Sequence, residues 1–208
     1  MTVGTLVGQA FSEARARYQA INVAWVRISH LVGGRLPASL MSVSIQRDGE
    51  LDLVLRCIED ELAPGLSQQR NDDLFVSHYL NMMSTYWIGS VYETFRLLRQ
   101  RKLADQDERF TAILRDLELL RIPLEKHEIA KDRTLMEPLT FIRNPPRNDA
   151  SDKYTYAPGD DKRAHIMPMG ISARGSVMWQ VTDLKIGGSR WVERRSVADQ
   201  VLDLWREK

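Results

Sequence analysis

The chain has 208 residues, of which 43% are hydrophobic and 27% are charged, a composition that argues against disordered and low-complexity proteins. Its 29 basic and 28 acidic side chains give a net charge of +1, which excludes a global attraction to nucleic acid or acidic membranes. Cys57 is the single cysteine, and the first residues lack the basic start of a signal peptide. We therefore expect a cytoplasmic protein without disulfides, bound metal or cofactor.

The first predicted element is a long amphipathic helix. Apolar side chains recur at three- and four-residue spacing from Phe11 to Val32, which places one apolar stripe along about six helical turns. Gly33 and Gly34 then end the pattern. This spacing is typical of a helix in a bundle.

Residues 40–58 fit two structures. Apolar residues alternate with period two on both sides of Asp48 and Gly49, which is the composition of a β-hairpin turn. The competing interpretation is a helix from Glu50 to Ala63, because apolar residues there also fit the helical period. We predict the hairpin and keep the helix as the alternative.

Two further long helices are predicted at 72–101 and 105–132, the second kinked at Pro123. Residues 74–92 carry no charged side chain, but their many polar groups exclude a membrane span.

The rest of the chain is predicted to be a long exposed loop at 143–163, strands at 164–169, 176–184 and 190–194, and a final helix at 197–206. The predicted fold is therefore α+β. It is one domain, a bundle of three long helices up to residue 145 with a small antiparallel β-sheet and a C-terminal helix from residue 164.

One face of the uncharged helix is a candidate site. At 100° per residue this face holds His78, Asn81, Thr85, Gly89, Glu93 and Arg96. One interpretation is a weakly polar contact with a neighbouring helix, to which Gly89 allows close approach. The other is the floor of a ligand groove or the seam of a homodimer, with Glu93 and Arg96 as its charged rim.

A second candidate is Arg121 followed by His127. This pair resembles the motif of the higher eukaryotes and prokaryotes nucleotide-binding (HEPN) superfamily, whose bundles carry an Arg, four to six residues and a His. The resemblance implies a metal-independent RNase in which Arg121 binds phosphate and His127 handles protons at the 2′ oxygen. Arg143 and Asn144 resemble the same motif without its histidine, which implies a degenerate, non-catalytic member.

The predicted loop also carries basic and aromatic side chains that suit single-stranded RNA, although nearby aspartates oppose their charge. These RNA-binding candidates are Arg143, Arg147, Lys153, Tyr154 and Tyr156. Motifs of common nucleotide hydrolases, serine hydrolases and metalloproteases are absent from the sequence. We therefore favour a cytoplasmic protein that acts by binding or homodimerisation. A HEPN-type RNase and a small-molecule sensor that uses the helix groove are the alternatives.

Overall fold

A computed structural model describes residues 1–36, 39–66, 73–104, 107–142 and 153–206. In these ranges five α-helices come first in the chain, five short strands follow, and a sixth α-helix comes last. The helices are α1 (Val3–Arg17), α2 (Gln19–Gly33), α3 (Met41–Leu62), α4 (Asp73–Gln100), α5 (Glu108–Lys126) and α6 (Arg194–Leu204). The strands are β1 (Leu139–Ile142), β2 (Lys153–Tyr156), β3 (Met169–Ile171), β4 (Val177–Asp183) and β5 (Gly188–Glu193). The predicted α+β, mainly helical fold is confirmed.

Helix α3 lies at the centre of the helical layer, because it packs against α1, α2 and α4, and α4 packs in turn against α5. Aromatic rings join these helices. Trp25 of α2 meets Trp87 of α4 edge-on at 6.5 Å between ring centroids, and Phe95 of α4 stacks on Phe110 of α5 at 5.0 Å. Large apolar groups on α4 therefore fill the interior, as aromatic pairs commonly do in cores.

The predicted first helix is two helices. Tyr18 leaves helical geometry, with φ −116° and ψ 41°, and forms both the end of α1 and the start of α2. Its hydroxyl contacts the Asp60 carboxylate, and this contact holds the break against α3. The apolar spacing continues across the break, with Ala14, Trp25, Ile28 and Val32 all buried, so spacing alone did not reveal it.

The predicted hairpin at 40–58 is wrong, because α3 runs without interruption through Asp48 and Gly49. Gly49 serves a close approach between helices rather than a turn. A Cβ at this position would lie 2.6 Å from Cβ of Trp25. The alternative helical interpretation of residues 50–63 is correct, and the helix extends back to Met41.

Two small antiparallel sheets complete the fold. β1 pairs with β2, placing Leu139 opposite Tyr156, and β3, β4 and β5 form a meander with β4 in the middle. The predicted loop at 143–163 is wrong for residues 153–156, which form β2, whereas residues 143–152 lie outside the described ranges. The predicted strand at 164–169 forms only at its last residue, Met169, where β3 begins. The His165 N–H donates to the His127 carbonyl at 2.7 Å, which ties the start of the segment to the end of α5, whereas the Pro168 carbonyl accepts from the Gln180 N–H of β4 at 2.9 Å.

Helix α5 is shorter than predicted at both ends. The Asp107 carboxylate caps its start by accepting from the Phe110 N–H at 2.8 Å. Pro123 lies in the last turn, and the helix ends when His127 adopts the left-handed conformation with φ 57°. Proline removes a backbone donor, and a left-handed residue terminates a helix, so the two together stop α5 before the predicted end at Asp132.

Candidate functional site

An open groove of about 740 Å³ lies between the start of α3 and the middle of α4, with Glu125 of α5 at its edge. Its walls are largely apolar, and several of its apolar side chains are uncovered. Tyr86 and Leu40 are each 75% exposed and Met82 is 54% exposed. A cavity of this size is in the range of binding sites, and apolar groups left uncovered in a cluster are typical of interaction surfaces.

The uncovered side chains continue along α4 beyond the groove. Val76, Tyr79, Met82 and Tyr86 are spaced three or four residues apart, and all are exposed. Residues at this spacing share one side of a helix. We call this set the apolar stripe of α4. It gives α4 a surface that the described part of the chain does not cover.

The groove takes in Thr85, Gly89 and Glu93 of the six residues predicted for this face. His78 is exposed and its ring lies beside Tyr79, whereas Arg96 turns along the helix to donate to Glu93 at 2.7 Å and Gln100 at 3.0 Å. Asn81 does not line the groove, and its side-chain oxygen is buried without a hydrogen-bond partner among the described residues.

Sequence reasoning missed the residues that matter most to the groove's shape, which are Leu40, Met82 and Tyr86. Met82 and Tyr86 are four residues apart on a helix without charged neighbours, a signal that was available. The role of Leu40 could not be predicted from the sequence, because this residue precedes α3 and comes near α4 only in the folded chain.

The atoms that pack against Gly89 belong to a side chain of α5 and not to the backbone of a neighbouring helix. A Cβ on Gly89 would lie 2.7 Å from Oε1 of Glu125. The other oxygen of Glu125 is 2.6 Å from Nε of Arg121. Glycine therefore gives the Glu125 carboxylate room at the groove edge.

Arg121 is occupied on two sides. Besides Glu125, its guanidinium lies 3.9 Å from Glu93 and 5.3 Å above the Tyr92 ring. His127 is exposed at the end of α5, and no contact among the described residues joins its side chain to Arg121. The structure therefore does not bring the two predicted catalytic residues together.

A buried carboxyl group lies behind the groove. Ser90, which lines the groove, donates from its hydroxyl to Asp48 at 2.5 Å. Burial raises the pKa of Asp48 to about 7, although the Ser90 hydrogen bond and Arg47 act in the opposite direction. Asp48 is therefore close to half-protonated near neutral pH.

The largest cluster of charge is buried between α3 and α6 and was not predicted. Arg194 is fully buried, binds both oxygens of Glu59 at 2.7 Å and contacts Asp52. Asp52 also accepts from Arg56 and from Trp25, each at 2.9 Å. Burial by itself would raise the pKa of Asp52, but Arg194 and Arg56 outweigh it and hold that pKa below its usual range. The spacing of Asp52, Arg56 and Glu59 on one face of α3 was a signal for such a cluster.

Two of the five predicted RNA-binding residues, Arg143 and Arg147, lie outside the described ranges, as does Asn144. Lys153 is exposed on β2, and the ring of Tyr154 stacks on Phe141 at 5.2 Å. Tyr156 is fully buried, and its hydroxyl donates to Asp132 at 2.7 Å. The expectation of an exposed Tyr156 is wrong, and its ring has no face open to a base.

Comparison with protein-family models, with curated proteins and with solved structures gives no match to this chain. Among the described residues, no three metal-binding side chains come together, and no described helix is both long and apolar enough to span a bilayer. The candidate site is therefore the groove together with the apolar stripe of α4.

Proposed function

We propose that this chain is a cytoplasmic binding module that forms a homodimer through the groove and the apolar stripe of α4. The occupant of the groove is a second copy of the chain. The observation that carries this proposal is an uncovered apolar stripe directly beside an open cavity on the same helix.

The shape of this surface suits two-fold pairing. A two-fold interface brings the same patch of both copies together, so the patch needs both a projection and a recess. Tyr86 projects from α4 with three quarters of its surface exposed, and the recess lies one turn further along, beside Gly89. Buried aromatic side chains commonly contribute much of the binding energy at such interfaces.

The charge of the rim favours a copy of this chain over nucleic acid. Glu93, Glu125 and Arg101 lie on the rim. Arg96 forms an ion pair with Glu93, and Arg121 forms one with Glu125. A surface with both signs can meet itself with opposite charges facing, whereas a phosphate backbone requires a surplus of positive charge.

The RNase alternative has less support. A phosphate bound at Arg121 would lie beside the carboxylates of Glu93 and Glu125, which repel it. A general acid or base must also reach the same substrate atom, and His127 has no contact with Arg121. The resemblance to HEPN bundles therefore favours a non-catalytic member.

The test is sedimentation velocity over a concentration series. We expect the wild type to form a dimer and the Tyr86→Glu variant to remain a monomer with unchanged helical circular dichroism, because the new carboxylate would be buried without a partner. Val23→Glu is the matched control, since Val23 is an apolar residue of α2 that is 60% exposed. A monomeric wild type, or a dimeric Tyr86→Glu variant, would overturn the proposal.

Two further measurements test the alternative functions, the small-molecule sensor and the RNase. Thermal stabilisation of a monomeric wild type by an apolar compound, lost in Tyr86→Glu, would point to the small-molecule sensor. Cyclic-phosphate ends on structured RNA incubated with the protein in EDTA, absent with Arg121→Ala, would point to the RNase.

A further inference from the structure

A second cavity of about 440 Å³ lies between α5, the end of α4 and the turn that joins β4 to β5. It shares no lining residue with the groove beside α4. Its volume is at the small end of the range of ligand sites, which is about 300 to 1,000 Å³. The cavity is therefore large enough for a small organic molecule.

The inner wall of this cavity is apolar. Phe110, Leu114, Leu119 and Ala130 line it, and each is at most 6% exposed. Phe110 is fixed in place by its stacking on Phe95. A rigid apolar wall offers a hydrocarbon group a preformed surface, so little conformational freedom is lost on binding.

Among the described residues that line the cavity, cationic side chains outnumber carboxylates. The cationic side chains are those of Arg99, Arg115, Lys131 and Lys185, and the carboxylates are those of Glu118 and Asp183.

The carboxylates neutralise particular members of this set. Asp183 lies 2.6 Å from Arg115, and Glu118 lies 3.1 Å from the Lys131 ammonium. For Lys185, no carboxylate of the described residues is within ion-pair distance. Lys131 and Lys185 are both exposed, and the Lys131 ammonium keeps donors beyond the one that faces Glu118. These two cations are therefore the best placed to meet an incoming anion.

We propose that this cavity binds a small amphipathic anion, with its hydrocarbon part against Phe110 and Leu114 and its carboxylate or phosphate head at Lys131 and Lys185. The combination of an apolar wall with a basic rim is the complement of such a molecule. This site is independent of the proposed dimer, because the two surfaces have no residue in common.

The experiment compares octanoate, octyl phosphate and neutral octanol by isothermal titration calorimetry and thermal shift. Octanoate or octyl phosphate should bind at a single saturable site and raise the melting temperature, and the tighter of the two identifies the head group. Octanol should bind at least about tenfold more weakly, because it leaves the lysines without a counter-charge.

Three variants locate the binding site. The double variant Lys131→Gln with Lys185→Gln should weaken binding about tenfold or more, whereas Lys126→Gln, an exposed lysine of α5 outside the cavity, should not. Thr111→Trp, which adds bulk at an exposed lining position, should also block binding.

Equal binding of octanol and octanoate would overturn the proposal, as would wild-type affinity in the double lysine variant. Loss of binding in Tyr86→Glu but not in the lysine variant would assign the anion to the groove and would also overturn it. The oligomeric state of these variants is measured separately, so failure of the dimer and failure of the anion site give different results.

Discussion

Two arginines in this protein have similar neighbours, two carboxylates and one aromatic ring each, but they differ in exposure to solvent. Arg194 lies between the carboxylates of Asp52 and Glu59, 5.4 Å from the ring of Trp87. Arg121 lies between Glu93 and Glu125, 5.3 Å from the ring of Tyr92. The Arg194 side chain is 0% exposed, whereas that of Arg121 is 21% exposed and its carboxylates are more than 40% exposed.

The difference in exposure decides what each cluster can do. Buried charges cannot be rehydrated when a partner is lost, so the Arg194 cluster fixes one position of α6 against α3. Exposed pairs exchange easily with water and contribute little to stability. The Arg121 cluster can therefore exchange its partners for those of a second chain at low cost, as an interface rim requires.

The largest predicted effect is that of removing the buried arginine. Arg194→Met should lower the free energy of unfolding by about 3–5 kcal/mol, because Asp52 and Glu59 would stay buried without their main counter-charge. Urea denaturation monitored by circular dichroism measures this. Arg121→Met is the matched control and should cost less than about 1 kcal/mol. Equal losses in the two variants would contradict the comparison.

A second prediction concerns Asp48 and Asp52, two buried carboxyl groups of α3 whose pKa values shift in opposite directions. The pKa of Asp48 rises from its ordinary value to about 7, so the folded state holds a proton that the unfolded state releases above about pH 4. The contribution of Asp48 to stability should therefore fall as pH rises from about 4 to about 7. Asp48→Asn should remove this dependence and raise stability at pH 8 by up to about 4 kcal/mol, with little effect near pH 4.

Asp52→Asn is the partner experiment. The pKa of Asp52 is lowered, so its contribution is present above its unfolded pKa and is lost as pH falls. The variant should be destabilised at pH 7 and approach the wild type in acid. Urea denaturation across the pH range tests both variants. If both substitutions change the free energy of unfolding in the same direction at neutral pH, then Arg194 and Arg56 do not make the two carboxyl groups different.

The smallest predicted effects concern two glycines within helices. Gly49→Ala should cost about 1–2 kcal/mol, because the new Cβ meets the buried Trp25 where neither helix can move freely. Gly89→Ala meets only the end of the flexible Glu125 side chain, so the gain in helix propensity, up to about 1 kcal/mol, should leave it neutral or stabilised. Thermal unfolding of both variants gives the comparison. A loss at Gly89 as large as that at Gly49 would mean that the groove edge is as tightly packed as the core.

The sequence was sufficient to predict the helices in which apolar residues recur at regular spacing over many turns. Helices α4 and α5 were predicted because apolar residues repeat over several turns in each. For α3 the hairpin was preferred to the helix, because the apolar residues there fit both the helical and the strand period. The deciding fact is the contact of Gly49 with Trp25, which lies 24 positions earlier in the chain. A local pattern does not contain such a contact.

The same limit applies to the sites. The predicted face of α4 was close to the groove, because Thr85, Gly89 and Glu93 follow from helix geometry alone. The groove also needs Leu40 and Glu125, which other parts of the chain supply. In the same way, Asp52, Arg56 and Glu59 are readable as one face of α3, but nothing in that segment identifies Arg194 as their partner.

The contacts of Arg194 also have a consequence for folding during synthesis. It is separated by 142 residues from Asp52 and by 135 from Glu59. A growing chain on the ribosome therefore carries these two acidic groups long before their counter-charge is translated. The central helix cannot settle in its final environment until α6 emerges, because contacts between distant residues form only after the chain between them has been made. The emergence of α6 is thus the step that completes this part of the core.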